Sequence, residues 1–320
     1  DRSSLSRHMR DLVQVEVPVL GEAATHLFAG SNSGGKKIRA TMVLLTARAF
    51  RKGRGRSLRQ RKLAEIIEII HTASLFHDDV IDGADVRRGC LSVSAKFGDK
   101  IAVLAGDFLL ARACVALAKL ENLAVVELIS VVIEHLVRGE IVQMRPESHS
   151  SDTHTLLEAY LHKSFYKTGS LMANACRAAA LLEDETQANC DAAFAYGRHV
   201  GLAFQLVDDA LDFEASDLEL GKPALADLQM GLVTASTCAP TIFAARTSPA
   251  LETILKRKFE RAGDVDTAIE IVSRSEGVQQ TRDLALVQAE LAVDALSKLP
   301  DSDAQRALTA LAHKVATRRK

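Results

Sequence analysis

The 320-residue chain is 48% apolar and 25% charged, a balance that suits one large or two ordinary globular domains and excludes a disordered chain. Forty basic and forty-one acidic side chains leave a net charge of −1, so no overall field favours nucleic acid or an anionic membrane surface. Even the most apolar segment, 122–137, carries Glu127 and Glu134, and no transmembrane helix is expected.

Only six prolines occur, none between Pro18 and Pro146 or between Pro146 and Pro223, and long helices fit those gaps. In chain order, apolar residues recur at helical spacing over 40–50, 63–76, 101–120, 124–137, 196–213 and 284–299. Strand-like alternation is confined to 90–97. Turn signals at 31–35, 53–55, 83, 98, 145–151 and 221–223 are short, and no repeat of fixed period occurs. The basic run 51–62 holds seven Lys or Arg in twelve residues without aromatic interleaving, which reads as a solvated interhelical loop more readily than as a nucleic-acid arm. Tryptophan is absent and aromatics total 4%, so Leu, Ala, Val and Ile on helix faces must build the interior. One all-α domain over 1–320 is the economical expectation.

Cys90, Cys114, Cys176, Cys190 and Cys238 are odd in number and contain no C-x-x-C, which points to a reducing compartment without a disulfide framework. The chain begins at Asp1, and a targeting segment would lie ahead of it.

The segment His77-Asp78-Asp79-Val80-Ile81-Asp82 sets three carboxylates in an apolar helix, with Asp78 and Asp82 one turn apart on one face. Taken alone, a D-D-x-x-D is more often a solvated acidic face. A second copy at Asp208, Asp209 and Asp212, with the same spacing and greasy flanks, shifts the balance. Six carboxylates among core-type residues repel one another and resist burial, so a compensating cation is the natural explanation. All-oxygen ligands indicate Mg²⁺ first and Mn²⁺ second. Because Mg²⁺ shares its positions between carboxylates, waters and phosphate oxygens, a diphosphate substrate is expected. Gly34-Gly35-Lys36-Lys37-Ile38-Arg39 at a helix start, Arg87-Arg88, Lys167-Thr168 and Gly221-Lys222-Pro223 supply the cations.

With these motifs in this order the chain resembles the trans-isoprenyl diphosphate synthases, and within them the long-chain polyprenyl (solanesyl or decaprenyl) diphosphate synthases that supply the ubiquinone side chain in mitochondria. V-L-A-G-D-F-L-L at 103–110, Y-K-T-G-S-L at 166–171, G-K-P-A-L-A-D-L at 221–228 and the late segments 263–266 and 276–281 extend the likeness over nearly the whole chain. The resemblance implies a helical bundle of the isoprenoid synthase type with a central active-site cavity. It implies Mg-dependent head-to-tail condensation of isopentenyl diphosphate onto farnesyl or geranylgeranyl diphosphate. Lys36, Arg39, His71 and Arg88 would hold isopentenyl diphosphate. Arg87, Lys167, Thr168, Gln205 and Lys222 would hold the allylic diphosphate, and Asp78, Asp79, Asp82, Asp208, Asp209 and Asp212 the metal. By the same resemblance Asp78, Asp82, Asp208, Lys167 and Lys222 would carry the catalytic weight. It further implies a homodimer or an assembly with a related subunit, peripheral membrane contact for product release, and a mitochondrial location in a eukaryote, cytoplasmic otherwise.

Three departures stand out: Ala40 where the family has proline, which would loosen the helix start; Gly169 where alanine is common; and a long turn at 234–240. Ala73 and Ser74, about one turn before Asp78, are small where short-chain members carry aromatics, so the product is expected to be long, with Ile66, Ile67 and Ile70 bordering its path. Weighed against this are a shorter-chain synthase, a class I terpene cyclase, a non-catalytic partner subunit and a di-iron bundle built on Glu68-Ile69-Ile70-His71. The cyclase needs no second substrate's cations, the partner subunit would be expected to lose acids or cations that are all present here, and the di-iron site lacks a second E-x-x-H.

Overall fold

The computed structural model describes residues 2–29, 37–51, 57–87, 89–144, 152–218, 238–299 and 301–319. Among these, helices account for all regular structure apart from one two-residue strand pair, so the all-α expectation holds. The chain divides into two compact units, one of 1–133, 174–191 and 300–304, the other of 134–173, 192–299 and 305–320.

In the first unit, α1 (Arg2–Leu12), α2 (Pro18–Ala29) and α3 (Ile38–Phe50) lead into the 24-residue α4 (Leu58–Ile81). Ser57 caps α4 by accepting the Gln60 amide at 3.5 Å. Ile66, Ile67, Ile69, Ile70, Ala73 and Phe76 are all buried, so α4 is apolar around much of its girth and runs through the core of this unit. A hairpin, β1 (Val86–Arg87) with β2 (Cys90–Leu91), pairs Val86 opposite Leu91 and Arg87 opposite Cys90. Then come α5 (Val93–Phe97), α6 (Asp99–Ala118) and the first half of α7 (Leu123–Met144). The alternation at 90–97 therefore becomes two strand residues and a short helix, because Ser92 caps α5 by accepting the Ala95 amide.

α4 packs on α6 where a Cβ on Gly106 would stand 2.2 Å from His77 Nε2. Only glycine lets that ring lie against α6, where it also meets the Val103 carbonyl at 3.2 Å. The basic run 51–62 is not wholly a loop: from Leu58 it is helical, with Arg59 donating to the Leu120 carbonyl and Arg61 pairing with Glu65. Residues 52–56 lie outside the described residues. One helix, α6, is long and apolar enough to cross a membrane by length and composition alone, with mean hydropathy 2.0 and 39% of that window buried. Asp107 and Arg112 interrupt it, as Glu127 and Glu134 interrupt 122–137.

The second unit takes the rest of α7, α8 (Thr153–Ser164), a π-helical turn (Phe165–Gly169), and parts of α9 (Ser170–Leu181) and α10 (Gln187–Leu218). It continues with α11 (Ala239–Ala245), α12 (Pro249–Lys256), α13 (Asp264–Ser273), α14 (Gly277–Leu296) and most of α15 (Asp303–Ala316). Tyr160, Leu206, Val207, Ile242 and Ala285 form one apolar cluster, and Phe213, Leu251, Ile254 and Val272 another. The buried Tyr196 hydroxyl donates to the Leu308 carbonyl at 2.9 Å, so its polar end is satisfied inside the core. Two glycines of α10 let backbones touch: a Cβ on Gly197 would lie 2.5 Å from the Met172 carbonyl oxygen, and one on Gly201 2.5 Å from Gly169 Cα. The five cysteines are free, with Cys176 and Cys190 buried.

Candidate functional site

In the first unit the acidic cluster closes α4. Asp78 and Asp82 are half-buried and lie one turn apart, with the Asp82 amide donating to the Asp78 carbonyl at 2.8 Å. Asp79 turns inward and is fully buried, and Arg87 from the hairpin binds it through Nε at 2.7 Å and Nη2 at 2.5 Å, both on Oδ1. Its Oδ2 is buried without a donor among the described residues. The guanidinium offsets the cost of a buried carboxylate and ties the hairpin to the helix end. Arg39 and His71 stand half-buried on α3 and α4. These two helices are joined where the Ala40 amide donates to the buried Glu68 Oε1 at 3.0 Å. A proline at 40 could not make that bond, so alanine here fastens the helix start where loosening was expected. The same bond occupies Glu68, the residue on which the di-iron alternative depended. Ala73 is fully buried, and half-buried Ser74 returns its hydroxyl to the His71 carbonyl at 2.9 Å. Lys36, Arg88 and Lys222 lie outside the described residues, as do 234–237 of the long turn.

In the second unit the other cluster sits on α10 with the same division. Asp208 is half-buried and Asp212 exposed, while Asp209 is buried. Gln205 donates to Asp209 Oδ1 at 2.9 Å, and the Ala239 amide at the start of α11 donates to Oδ2 at 3.2 Å. Burial pushes the Asp209 carboxyl above its ordinary value, opposed by these donors, by Tyr160 and by the neighbouring Lys163. Burial likewise lowers the Lys163 ammonium and raises Tyr160 well above its usual range, and it takes the Cys238 thiol up to about 12. Asp79 and Asp209 are thus buried and bonded to protein donors, whereas Asp78, Asp82 and Asp208 are half-buried and Asp212 exposed.

Thr168 and Gln205, both expected to meet the allylic diphosphate, are brought together by a 3.0 Å hydrogen bond from Thr168 Oγ1 to Gln205 Oε1. Lys167 precedes Thr168 on the π-helical turn, a widening of the helix that re-aims side chains and recurs at functional sites. Its ammonium is held by Glu140 at 2.7 Å and Gln143 at 2.9 Å from α7. Gly139 makes this possible, since a Cβ there would lie 2.8 Å from Lys167 Cγ. Neither Glu140 nor Gln143 stood out in the sequence; a Gly-Glu-x-x-Gln run closing an apolar helix was the available signal. Arg318 was also missed. Its guanidinium bonds Asp208, donates to the Phe204 carbonyl at 3.1 Å and stacks 4.0 Å from the Phe204 ring centroid.

The donors fit a hard cation. Among the described residues no three His, Cys, Asp or Glu side chains converge tightly enough to enclose a metal alone. Accessible carboxylates in spaced pairs suit Mg²⁺, which takes its remaining oxygens from water and phosphate.

The polyprenyl synthetase family profile matches residues 17–272. A prenyl transferase of Synechocystis sp. is 45% identical over 311 residues, covering 97% of this chain and 93% of its own. Solanesyl diphosphate synthase 3, chloroplastic/mitochondrial, of Arabidopsis thaliana is 41% identical over 338 residues, covering 99% and 78%. A polyprenyl synthase of Caulobacter crescentus, crystallised with calcium and isoprenyl diphosphate, superposes with a TM-score of 0.85 at 33% identity over 100% of this chain and 95% of that one. A helical prenyltransferase is therefore the class that fold and relatives define. The chain belongs to the polyprenyl synthetase family.

Proposed function

We propose that this protein is a Mg²⁺-dependent long-chain trans-polyprenyl diphosphate synthase that adds isopentenyl diphosphate head-to-tail to farnesyl or geranylgeranyl diphosphate. The observation that carries the reading is the shared division of the two clusters: each offers two reachable aspartates one turn apart and holds its middle aspartate on protein donors. A solvated acidic face would have no reason to bury and bond the same member twice.

In this reading Asp78, Asp82, Asp208 and Asp212 hold magnesium, while Asp79 and Asp209 brace the two helices that present them. Magnesium, when bound, neutralises charge developing on the departing diphosphate. Lys167, Thr168, Gln205, Arg87 and Lys222 orient the allylic diphosphate, and Lys36, Arg39, His71 and Arg88 hold isopentenyl diphosphate. The allylic C–O bond breaks with its electron pair leaving on diphosphate. The isopentenyl double bond attacks the resulting cation, and a proton is then lost to the departed diphosphate. Apolar side chains around the reacting carbons keep water from capturing the cation. No protein nucleophile is needed.

The long product agrees with the small Ala73 and Ser74 before the first cluster, and in a eukaryote it would serve as the ubiquinone side chain in mitochondria. We read both units as parts of one catalytic domain. Exposed Val103, Leu104 and Val115 on α6, with Leu123 and Val131 on α7, favour pairing with a second copy or a related subunit through apolar helix faces. Light scattering at working concentration checks this, and a fully active monomer would contradict it. The decisive test of function is incubation with Mg²⁺, farnesyl diphosphate and labelled isopentenyl diphosphate, followed by sizing of the products. Asp82→Ala and Asp208→Ala should each lose about 10²-fold or more in turnover with the fold intact, as loss of a charge-stabilising contact in the transition state does. Near-normal rates in either variant would remove that aspartate from the metal site.

A further inference from the structure

Glu140 is a glutamate that stability alone would not choose. It lies 7% exposed near the end of α7, and both its carboxylate oxygens are buried without a hydrogen-bond donor among the described residues. An unsatisfied buried carboxylate costs free energy, and an apolar residue of similar size at such a place is commonly as stable or more so. What the carboxylate does have is Lys167: its Oε2 stands 2.7 Å from the ammonium, which is itself 22% exposed. The Gln143 amide oxygen accepts a Lys167 N–H at 2.9 Å.

An ammonium has three donors. Gln143 accepts one of them and the Glu140 carboxylate draws the charge to the same side as an ion pair, which narrows the directions open to the others. A free lysine would spread its charge over many rotamers and lose that freedom on binding an anion. Here the loss is met on folding. The contact is also built to be close, because the 2.8 Å from a Cβ at 139 to Lys167 Cγ leaves room only for glycine beside the π-helical turn.

We propose that Glu140 is a positioning residue for prenyl transfer: with Gln143 it holds the Lys167 ammonium where an N–H meets an oxygen of the allylic diphosphate. This rests on the assignment of Lys167 to the allylic substrate, and the test separates the two. Glu140→Gln, Lys167→Gln and the double variant are compared for primer KM, isopentenyl diphosphate KM and kcat, with thermal unfolding as a check on the fold. Glu140→Gln should raise the primer KM about tenfold, the size of one charge-assisted contact, and leave the isopentenyl diphosphate KM unchanged. In the Lys167→Gln background the Glu140 change should add nothing, because its effect passes through the lysine.

If Lys167→Gln is impaired while Glu140→Gln matches the unaltered protein, the positioning role is wrong and the lysine assignment stands. Should Lys167→Gln itself be silent, both fall. Equal losses for both substrates in Glu140→Gln, or full additivity in the double variant, would mark Glu140 as merely structural and overturn the proposal. Should Glu140→Gln fail to fold, half-buried Gln143→Leu carries the same test. It must raise the primer KM selectively and non-additively with Lys167→Gln, and the absence of that pattern counts against the proposal.

Discussion

Adding one methyl group at Gly201 should uncouple α10 from the turn that carries Lys167 and Thr168. Its Cβ would stand 2.5 Å from Gly169 Cα, with Gly169 N at 3.3 Å, all of it backbone. Carbon atoms rest at about 3.5–4.0 Å, so the two backbones must part by ~1 Å. Overpacking on that scale costs ~1–3 kcal/mol, against a gain of about 1 kcal/mol from replacing glycine in a helix. Gly201→Ala should therefore lose up to about 2 kcal/mol net, read as a lower urea midpoint with unchanged slope. Gly169 closes the π-helical turn, and misplacing positioned groups by ~1 Å can cost about 10²-fold, so kcat/KM for the primer should fall ~10- to 100-fold. Gly169→Ala is the control. Its Cβ would meet Phe165 Cδ2 at 3.1 Å and the Arg198 carbonyl oxygen at 3.7 Å, and a ring can rotate by that little. That variant should be as stable as the unaltered protein or slightly more so, consistent with alanine being common there in the family. Gly201→Ala matching the unaltered protein in both assays, or Gly169→Ala proving the worse of the two, would refute the reasoning.

Arg318 occupies Asp208 with side chains 14% and 39% exposed, so under the proposed function magnesium would have to compete with it. Arg318→Gln should lower the Mg²⁺ concentration for half-maximal rate about two- to fivefold, the range of an ion pair worth ~0.5–1 kcal/mol, and an unchanged requirement would show that the pair does not compete. Arg257, with the Arg261 amide, holds the Asp264 carboxyl below the usual range. That stabilisation is present above the ordinary aspartate pKa and disappears as pH falls through the lowered value. Asp264→Asn should therefore unfold at lower urea at pH 7, with the gap closing in acid; a gap independent of pH would count against the pair. Ala73 is fully buried on α4, and Ala73→Phe should shorten the product by several isoprene units while the first condensation persists. Unchanged product length at an intact rate would place the limit elsewhere.

The helical class was legible because the apolar period along the chain is a local property, and the chemistry because D-D-x-x-D fixes two carboxylates on one helix face whatever the helix packs against. Which aspartate does what was not legible. Asp79 and Asp209 read like their neighbours until Arg87, Gln205 and the Ala239 amide claim them, and Ala239 lies 30 positions away in the chain. Ala40 looked like a loss because proline is judged by its own backbone, whereas the gain lies in a bond to Glu68 on another helix. Arg318 carries no motif and Glu140 only a short Gly-Glu-x-x-Gln run: their meaning is a distance to Asp208 and to Lys167, and such distances exist only once the helices have packed. Sequence by itself determined which elements form and which charges they carry, since both follow from side chains a few residues apart. Tertiary structure alone decided which of those charges are buried and which stay exposed, and which distant groups they pair with, because burial and long-range pairing are set by neighbours the local sequence does not contain.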